Sequence, residues 1–173
     1  GKMKELRPDY LAKSISGVNL KVLAQRGIEV MLLDLDNTLA PWRTKDFSAQ
    51  TINWLNQAKK AFDIYILSNG SSDRVADTAD ALGIKYIAGA HKPNGDKLRK
   101  ILSEEGIKPE KAAIIGDQLY TDVLSAARLG AISVLLTPIS SREYIFTKFN
   151  RLRERRLRRR INKSMKYMED IYD

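Results

Sequence analysis

The sequence predicts an α/β fold, a three-layer doubly wound parallel sheet with a C-terminal basic amphipathic helical extension. Three observations lead there. Apolar runs of strand length alternate with stretches of helical period. Four of those strands run into polar residues at their ends or in the loops just beyond. After Pro138 the alternation stops and a long basic stretch begins.

Taken in order, residues 8–27 read as two short helices. Asp9 caps the first, with Leu11, Ile15 and Val18 on one face; Asn19 caps the second, which Gly27 ends. Together they make an N-terminal segment, 1–27, packing on the core. The run Val30-Met31-Leu32-Leu33 reads as a strand buried on both faces. A loop through Pro41 and Trp42 leads to a helix from about Ser48 to Ala61, with Ile52, Leu55 and Phe62 at helical spacing. A second strand, Asp63 to Leu67, enters Ser68-Asn69-Gly70, and the following helix carries Val75, Ala79 and Leu82 before Gly83 stops it. The third strand, Ile84 to Ile87, leads to His91-Lys92-Pro93 and a helix bearing Leu98, Ile101 and Leu102. The fourth, Ala112 to Ile115, ends in Gly116-Asp117, ahead of a helix with Val123, Leu124 and Ala127 closed by Gly130. Ala131 to Leu136 is the last strand. Parallel neighbours need crossover connections, so five strands alternating with four helices imply a parallel sheet covered on both faces, over 28–139.

The third segment, 140–173, opens on a capping box, Ser140-Ser141-Arg142-Glu143. Ile145, Phe149, Leu152, Leu157, Ile161, Met165 and Met168 then recur at intervals of three to five, leaving the arginines mostly on the other side.

Charge is distributed in the same way. The 173 residues carry a net charge of +9, and from Lys148 to Lys166 ten basic residues stand against a single acid, Glu154. That stretch holds the whole excess, so only the tail argues for an anionic partner. A composition 43% apolar and 29% charged is that of a soluble globular protein. No apolar run approaches the ~18 residues of a membrane span. The sequence has no cysteine, which excludes a disulfide framework, a thiolate metal site and a cysteine nucleophile. With no apolar leader ahead of a small-residue cleavage site, a cytoplasmic setting is expected.

Asp34 and Asp36 end the first core strand one residue apart, where an extended chain turns both towards one side. Burying them is costly unless a cation or several donors compensate. Asp34-Leu35-Asp36-Asn37-Thr38 also reads as a turn plus helix cap. Trp42 is either a substrate contact or simply packed, Ser68 a cap, Lys92 a solvated charge, and Gly116-Asp117 ordinary punctuation. His91 stands alone, without a second imidazole or thiolate to share a metal, and reads as shaping the loop of Lys92. In a parallel open sheet, however, ligands sit at the carboxyl ends of the strands. Asp34 and Asp36, Ser68 and Asn69, Lys92, and Asp117 with Asp122 converge there. Four carboxylates, an ammonium, a hydroxyl and glycine-rich backbone suit a hard, oxygen-binding cation together with a phosphoryl group.

The ordered set Asp34-Leu35-Asp36-Asn37-Thr38, Ser68, Lys92 and Gly116-Asp117 with Asp122 resembles the four motifs of the haloacid dehalogenase superfamily of phosphatases. Leu67-Ser68-Asn69-Gly70, His91-Lys92-Pro93, Gly116-Asp117-Gln118-Leu119-Tyr120-Thr121-Asp122 and Thr147-Lys148-Phe149-Asn150-Arg151 look like its subclass IIIA, YqeG-type branch, related to phosphatidylglycerophosphate phosphatases.

The resemblance implies a magnesium-dependent phosphomonoester hydrolase. Asp34 would be the nucleophile, forming an aspartyl-phosphate, and Asp36 the general acid and base. Mg2+ would be held by Asp34, the backbone carbonyl of Asp36, and Asp117, with Asp122 in support. Ser68 and Lys92 would bind the phosphoryl oxygens, assisted by backbone N–H groups at Asn69 or Gly70. Thirty-four positions separate Asp34 from Ser68 and 24 separate Ser68 from Lys92, each already filled by core elements, so the site is expected to be capless. An open site accepts a phosphate projecting from something large. Together with the resemblance to that branch, the basic helix favours a lipid phosphate at the inner membrane face, for which the resemblance implies most simply phosphatidylglycerophosphate, with the protein peripheral on that surface. Protein or nucleic-acid phosphates, RNA association through the Arg151–Arg160 region, and packing of the tail on a partner or second copy are the alternatives.

Overall fold

The computed structural model describes residues 6–35, 38–39, 46–138 and 148–172, with side chains of the last stretch described from residue 152. Asp36, Asn37, Trp42, the box at 140–143 and Ile145 lie outside the described residues, as does the side chain of Phe149.

The elements run β1 (Tyr10–Ala12), α1 (Leu20–Gln25), β2 (Val30–Leu33), α2 (Ala49–Lys59), β3 (Asp63–Leu67), α3 (Ser72–Leu82) and β4 (Lys85–Ile87). They continue as α4 (Gly95–Glu104), β5 (Ala112–Gly116), α5 (Leu124–Leu129), β6 (Ile132–Leu136), α6 (Lys148–Ser164) and α7 (Met168–Ile171). The six strands form one parallel sheet in the order β1-β6-β5-β2-β3-β4. From β2 the chain builds outward through β3 to β4, then returns to the other side of β2 for β5 and β6. The reversal lies between β2 and β5, where a doubly wound sheet opens its binding crevice.

Alternation along each strand makes two layers. Met31, Leu33, Ile64, Ile66, Ala113 and Ile115 face Leu23 of α1, Leu55 of α2 and Val75 and Ala79 of α3. Leu32, Tyr65, Leu67 and Ile114 face Leu98 and Leu102 of α4 and Ala126 and Leu129 of α5. Ser48 and Asn94 cap α2 and α4 by accepting from the N–H groups of Thr51 and Lys97. Gly83, at φ 67°, ends α3 in the left-handed region that favours glycine.

Three sequence expectations are corrected. Residues expected in a first helix capped by Asp9 instead form β1, a parallel edge strand on β6, followed by a 3-10 turn at Ile15–Gly17. The Asp9 carboxylate accepts the Ser133 N–H at 2.9 Å, so its role is to join strands rather than begin a helix. The second helix is as expected, with the Asn19 side chain accepting from Val22 N–H. On α2, Ile52 is exposed while Thr51, Trp54 and Leu55 are buried; on α5, Ala127 is exposed and Ala126 buried.

The third correction concerns the tail. Leu152 is 57% exposed, whereas Glu154 is buried and Leu157 is half-buried. At 100° per residue Leu152 lies half a revolution from Ile161, while Glu154 shares its face. The buried face of α6 packs Leu157, Ile161 and Met165 on Leu11, Leu119, Val123 and Leu135. The chain then turns, and Tyr167 pairs with Leu11, extending the sheet past the β1 edge. Met168 reaches the main core. Among the described residues, Leu157, Ile161, Met165 and Met168 of the stripe expected to face a membrane or a partner instead pack on the protein's own core.

Candidate active site

Asp34 leaves β2 with the ladder still holding it, its N–H donating to Ile115 O at 2.9 Å. Its own carboxylate accepts from Leu35 N–H at 3.0 Å. Next along the sheet, Ser68 N–H donates to Ile87 O, Ala90 N–H to Ser68 O, and Gly89 N–H to Gly70 O. The loops after β3 and β4 are thus zipped into one wall. Ser68 Oγ accepts from Gly70 N–H at 3.0 Å, folding the Ser-Asn-Gly turn back on itself.

That wall carries Lys92. His91, at φ 59°, takes the left-handed conformation and turns the chain ahead of it. The Asn69 side chain accepts from Lys92 N–H at 2.7 Å and donates to Lys92 O at 3.0 Å. So held, Lys92 sends its ammonium inward to Asp34 Oδ1 at 3.2 Å and Asp122 Oδ1 at 2.9 Å, both contacts buried. The lysine is not a solvated surface charge.

The opposite wall follows β5. Gly116 has no room for a side chain: a Cβ there would collide with the Asp122 carboxylate and stand 3.0 Å from Asp34 Cβ. A π-helical turn, Leu119–Val123, brings Asp122 back towards the sheet, where Gln118 N–H donates to its Oδ2 at 3.2 Å. Asp117 is 1% exposed, and its Oδ1 has no hydrogen-bond partner. One carboxylate oxygen from each of Asp34, Asp117 and Asp122 lies within 4.8 Å of the others.

Three buried carboxylates facing one ammonium leave an excess of negative charge. Burial, with the Asp122 carboxylate adding to it and Lys92 opposing, pushes the Asp34 carboxyl up to about 7. Burial and the charges of Asp34 and Asp122 likewise raise Asp117, against the pull of Arg158. For Lys92, burial works against the charge, but Asp122 and Asp34 outweigh it and hold the ammonium above its ordinary range. A hard divalent cation among the three carboxylates would supply the missing charge and a partner for Asp117 Oδ1. The donor set fits such an ion: all oxygen, with no histidine in the cluster among the described residues.

The structure therefore brings together Asp34, Lys92, Asp117 and Asp122. Ser68 directly follows the neighbouring strand β3, the Asn69 side chain is spent on Lys92, and Asp36 lies outside the described residues. Two contributors escaped sequence reasoning. Glu154, 2% exposed, accepts from Leu119 N–H at 3.3 Å, and Arg158 donates to the carbonyl of Asp117 and, at 3.5 Å, to that of Leu136. A signal existed, since Glu154 is the one acid among ten bases.

Residues 24–130 match the haloacid dehalogenase-like hydrolase family. The chain is 34% identical to the probable phosphatase YqeG of Bacillus subtilis, over 87% of its length and 88% of that protein. It is 25% identical to the chloroplastic/mitochondrial phosphatidylglycerophosphate phosphatase 1 of Arabidopsis thaliana, covering 92% of this chain but about half (49%) of that longer protein. Among solved structures, an uncharacterized protein from Listeria monocytogenes superposes with a TM-score of 0.53 at 14% identity, covering 70% of this chain and 87% of that one. A haloacid dehalogenase-like hydrolase from Streptococcus pneumoniae gives 0.50 at 17% identity, with 64% and 85% covered. At such identities these two speak for the fold alone.

Proposed function

Since the chain belongs to the haloacid dehalogenase-like hydrolases and is a phosphatase, we propose that it hydrolyses a phosphomonoester with Mg2+, through an aspartyl-phosphate on Asp34. The proposal extends to the substrate: a lipid phosphate at a membrane surface, phosphatidylglycerophosphate first. The observation that carries the chemistry is the buried cluster at the sheet's reversal, in which Asp34 shares Lys92 with Asp122 and faces Asp117.

Asp34 attacks phosphorus while the bond to the alcohol oxygen breaks, and Asp36 supplies the proton that the alcohol carries away. Water then attacks the phosphorylated Asp34, passing its proton to Asp36, and releases phosphate and the carboxylate. Asp34 and Asp117, with the Asp36 carbonyl and with Asp122 in support, would hold the cation, which would supply positive charge against that of the nucleophile and the phosphate. Lys92, clamped by Asn69, and Ser68 take the phosphoryl oxygens. Such preorganised charge is worth more in a buried site than in water.

Three observations support the lipid substrate. The 23 residues between Ser68 and Lys92 are taken up by α3, β4 and their short connections, leaving that approach without a cap. Arg153, Arg155, Arg156, Arg159 and Arg160 are exposed on α6, the helix whose Arg158 reaches the Asp117 loop. The Arabidopsis relative is named for phosphatidylglycerophosphate. Because Leu157 and Ile161 of α6, and Met165 just after it, face the protein's own core, association with the membrane is by charge, at about 1 kcal/mol per basic residue near anionic lipid.

A Mg2+-dependent release assay over phosphatidylglycerophosphate in vesicles, phosphopeptides, 5′- and 3′-phosphorylated oligonucleotides and small sugar phosphates tests the reading. Highest kcat/KM on the lipid is expected. Preference for the sugar phosphates or the oligonucleotides would overturn the lipid assignment, and no turnover on any of them would count against the chemistry itself.

A further inference from the structure

The tail is more than a charged surface. Where β5 ends, the backbone leaves the ladder, and its polar groups need partners from elsewhere. Two of them flank the acidic loop: the carbonyl of Asp117 and the N–H of Leu119. Both find partners on α6. The Arg158 guanidinium donates to Asp117 O and to Leu136 O at 3.5 Å, and the Glu154 carboxylate accepts from Leu119 N–H at 3.3 Å. Glu154 Oε1 and Arg158 Nε are 3.5 Å apart, one turn along the same buried face, so each orients the other. Residues 24–130 match the hydrolase family, and both of these side chains lie beyond that match.

We infer that Arg158, oriented by Glu154, is a positioning residue for the acidic loop: it fixes the peptide of Asp117 so that the carboxylate faces Asp34 and Asp122, and cation affinity depends on it. The inference rests on the reading that Asp34, Asp117 and Asp122 hold a divalent cation. The guanidinium suits the task because its planar fork serves two carbonyls on two elements, the loop after β5 and the end of β6. Neither carbonyl is a carboxylate of the site, so Arg158 acts on the ligand geometry through the backbone. Supporting groups of this kind change metal affinity by about 10–100-fold when removed.

The sign of the effect separates positioning from charge. Where the site carboxylates are deprotonated, removing a cation near a cation site strengthens metal binding if electrostatics alone operates. Loss of the brace weakens it. Mg2+ binding to the metal-free full chain, measured by calorimetry at pH 8 without substrate, gives the comparison, with circular dichroism and metal-free melting showing that each variant is folded. Arg158→Met, which keeps most of the aliphatic stem, is expected to bind Mg2+ about 10–100-fold more weakly than wild type. Arg158→Lys keeps the charge but cannot span both carbonyls, and is expected to fall between the two; it also serves if the methionine variant does not fold. Unchanged or tighter Mg2+ binding in the folded variants would overturn the positioning role while leaving the cation site intact. No Mg2+ binding to wild type would overturn the cation reading and this inference with it.

Discussion

Asn69 spans the backbone of Lys92, accepting from its N–H at 2.7 Å and donating to its carbonyl at 3.0 Å. A residue read from the sequence as a phosphate contact thus spends its side chain on aiming the lysine. Two hydrogen bonds at about 1 kcal/mol each set the scale of the loss on truncation. Asn69→Ala is expected to lower kcat/KM on an aryl phosphate roughly tenfold or more, and to lower the melting temperature by several degrees, the scale of two hydrogen bonds in a domain of this size. Asn69→Asp, which keeps the acceptor for Lys92 N–H and loses the donor, should retain more activity than alanine.

Asp34→Asn should reduce turnover by roughly a thousandfold or more, as removal of a nucleophile does, while the sheet and its melting transition survive. Turnover within tenfold of wild type would place the nucleophile elsewhere.

The same variant reads out the electrostatics. Because burial pushes the Asp34 carboxyl up to about 7, between about 4 and 7 the metal-free folded chain holds a proton that the unfolded chain has released. Stability from this group therefore falls as pH rises through that window, and Asp117, raised for the same first reason, acts in the same direction. Asparagine does not titrate, so the metal-free melting temperature of Asp34→Asn minus that of wild type should grow from pH 5 to pH 8. Mg2+ competes with the proton, so it should raise the wild-type melting temperature more at pH 8 than at pH 5. A Mg2+ shift that shrinks with rising pH would contradict the arrangement.

Gly116→Ala tests the close approach of the two walls. Its new methyl would meet the Asp122 carboxylate and Asp34 Cβ. Overpacking of this kind costs about 1–3 kcal/mol. Here the displaced groups belong to the site, so phosphatase activity should fall by a larger factor than stability alone accounts for, measured below the melting transition.

The docked tail makes a claim about salt. Replacing exposed Arg155, Arg156 and Arg159 with glutamine should weaken sedimentation with anionic vesicles, and 1 M salt, where the screening length is ~3 Å, should release the wild-type protein. Retention at high salt would mean that apolar surface enters the bilayer.

Much of this molecule is written in local pattern. Val30 to Leu33, Asp63 to Leu67 and Ala112 to Gly116 are strand-length apolar runs, and Gly83 and Gly130 end their helices in the left-handed conformation. These features depend on residues a few positions away, so they can be read along the chain. The gathering of Asp34, Lys92, Asp117 and Asp122 also follows from the sequence, because a parallel sheet with crossover helices puts every strand's carboxyl end on one side. What tertiary structure alone decided lies at the two ends. Tyr10–Ala12 makes no ladder of its own and becomes a strand only because β6, more than 120 residues later, offers an open edge. In the tail, periodicity placed an apolar stripe along one face but could not say what would cover it. The sheet supplied Leu119 and Leu135, and the unpaired Leu119 N–H and Asp117 carbonyl drew Glu154 and Arg158 inward. A buried charge takes its meaning from a polar group distant in sequence and near in space, and that distance is closed only by folding.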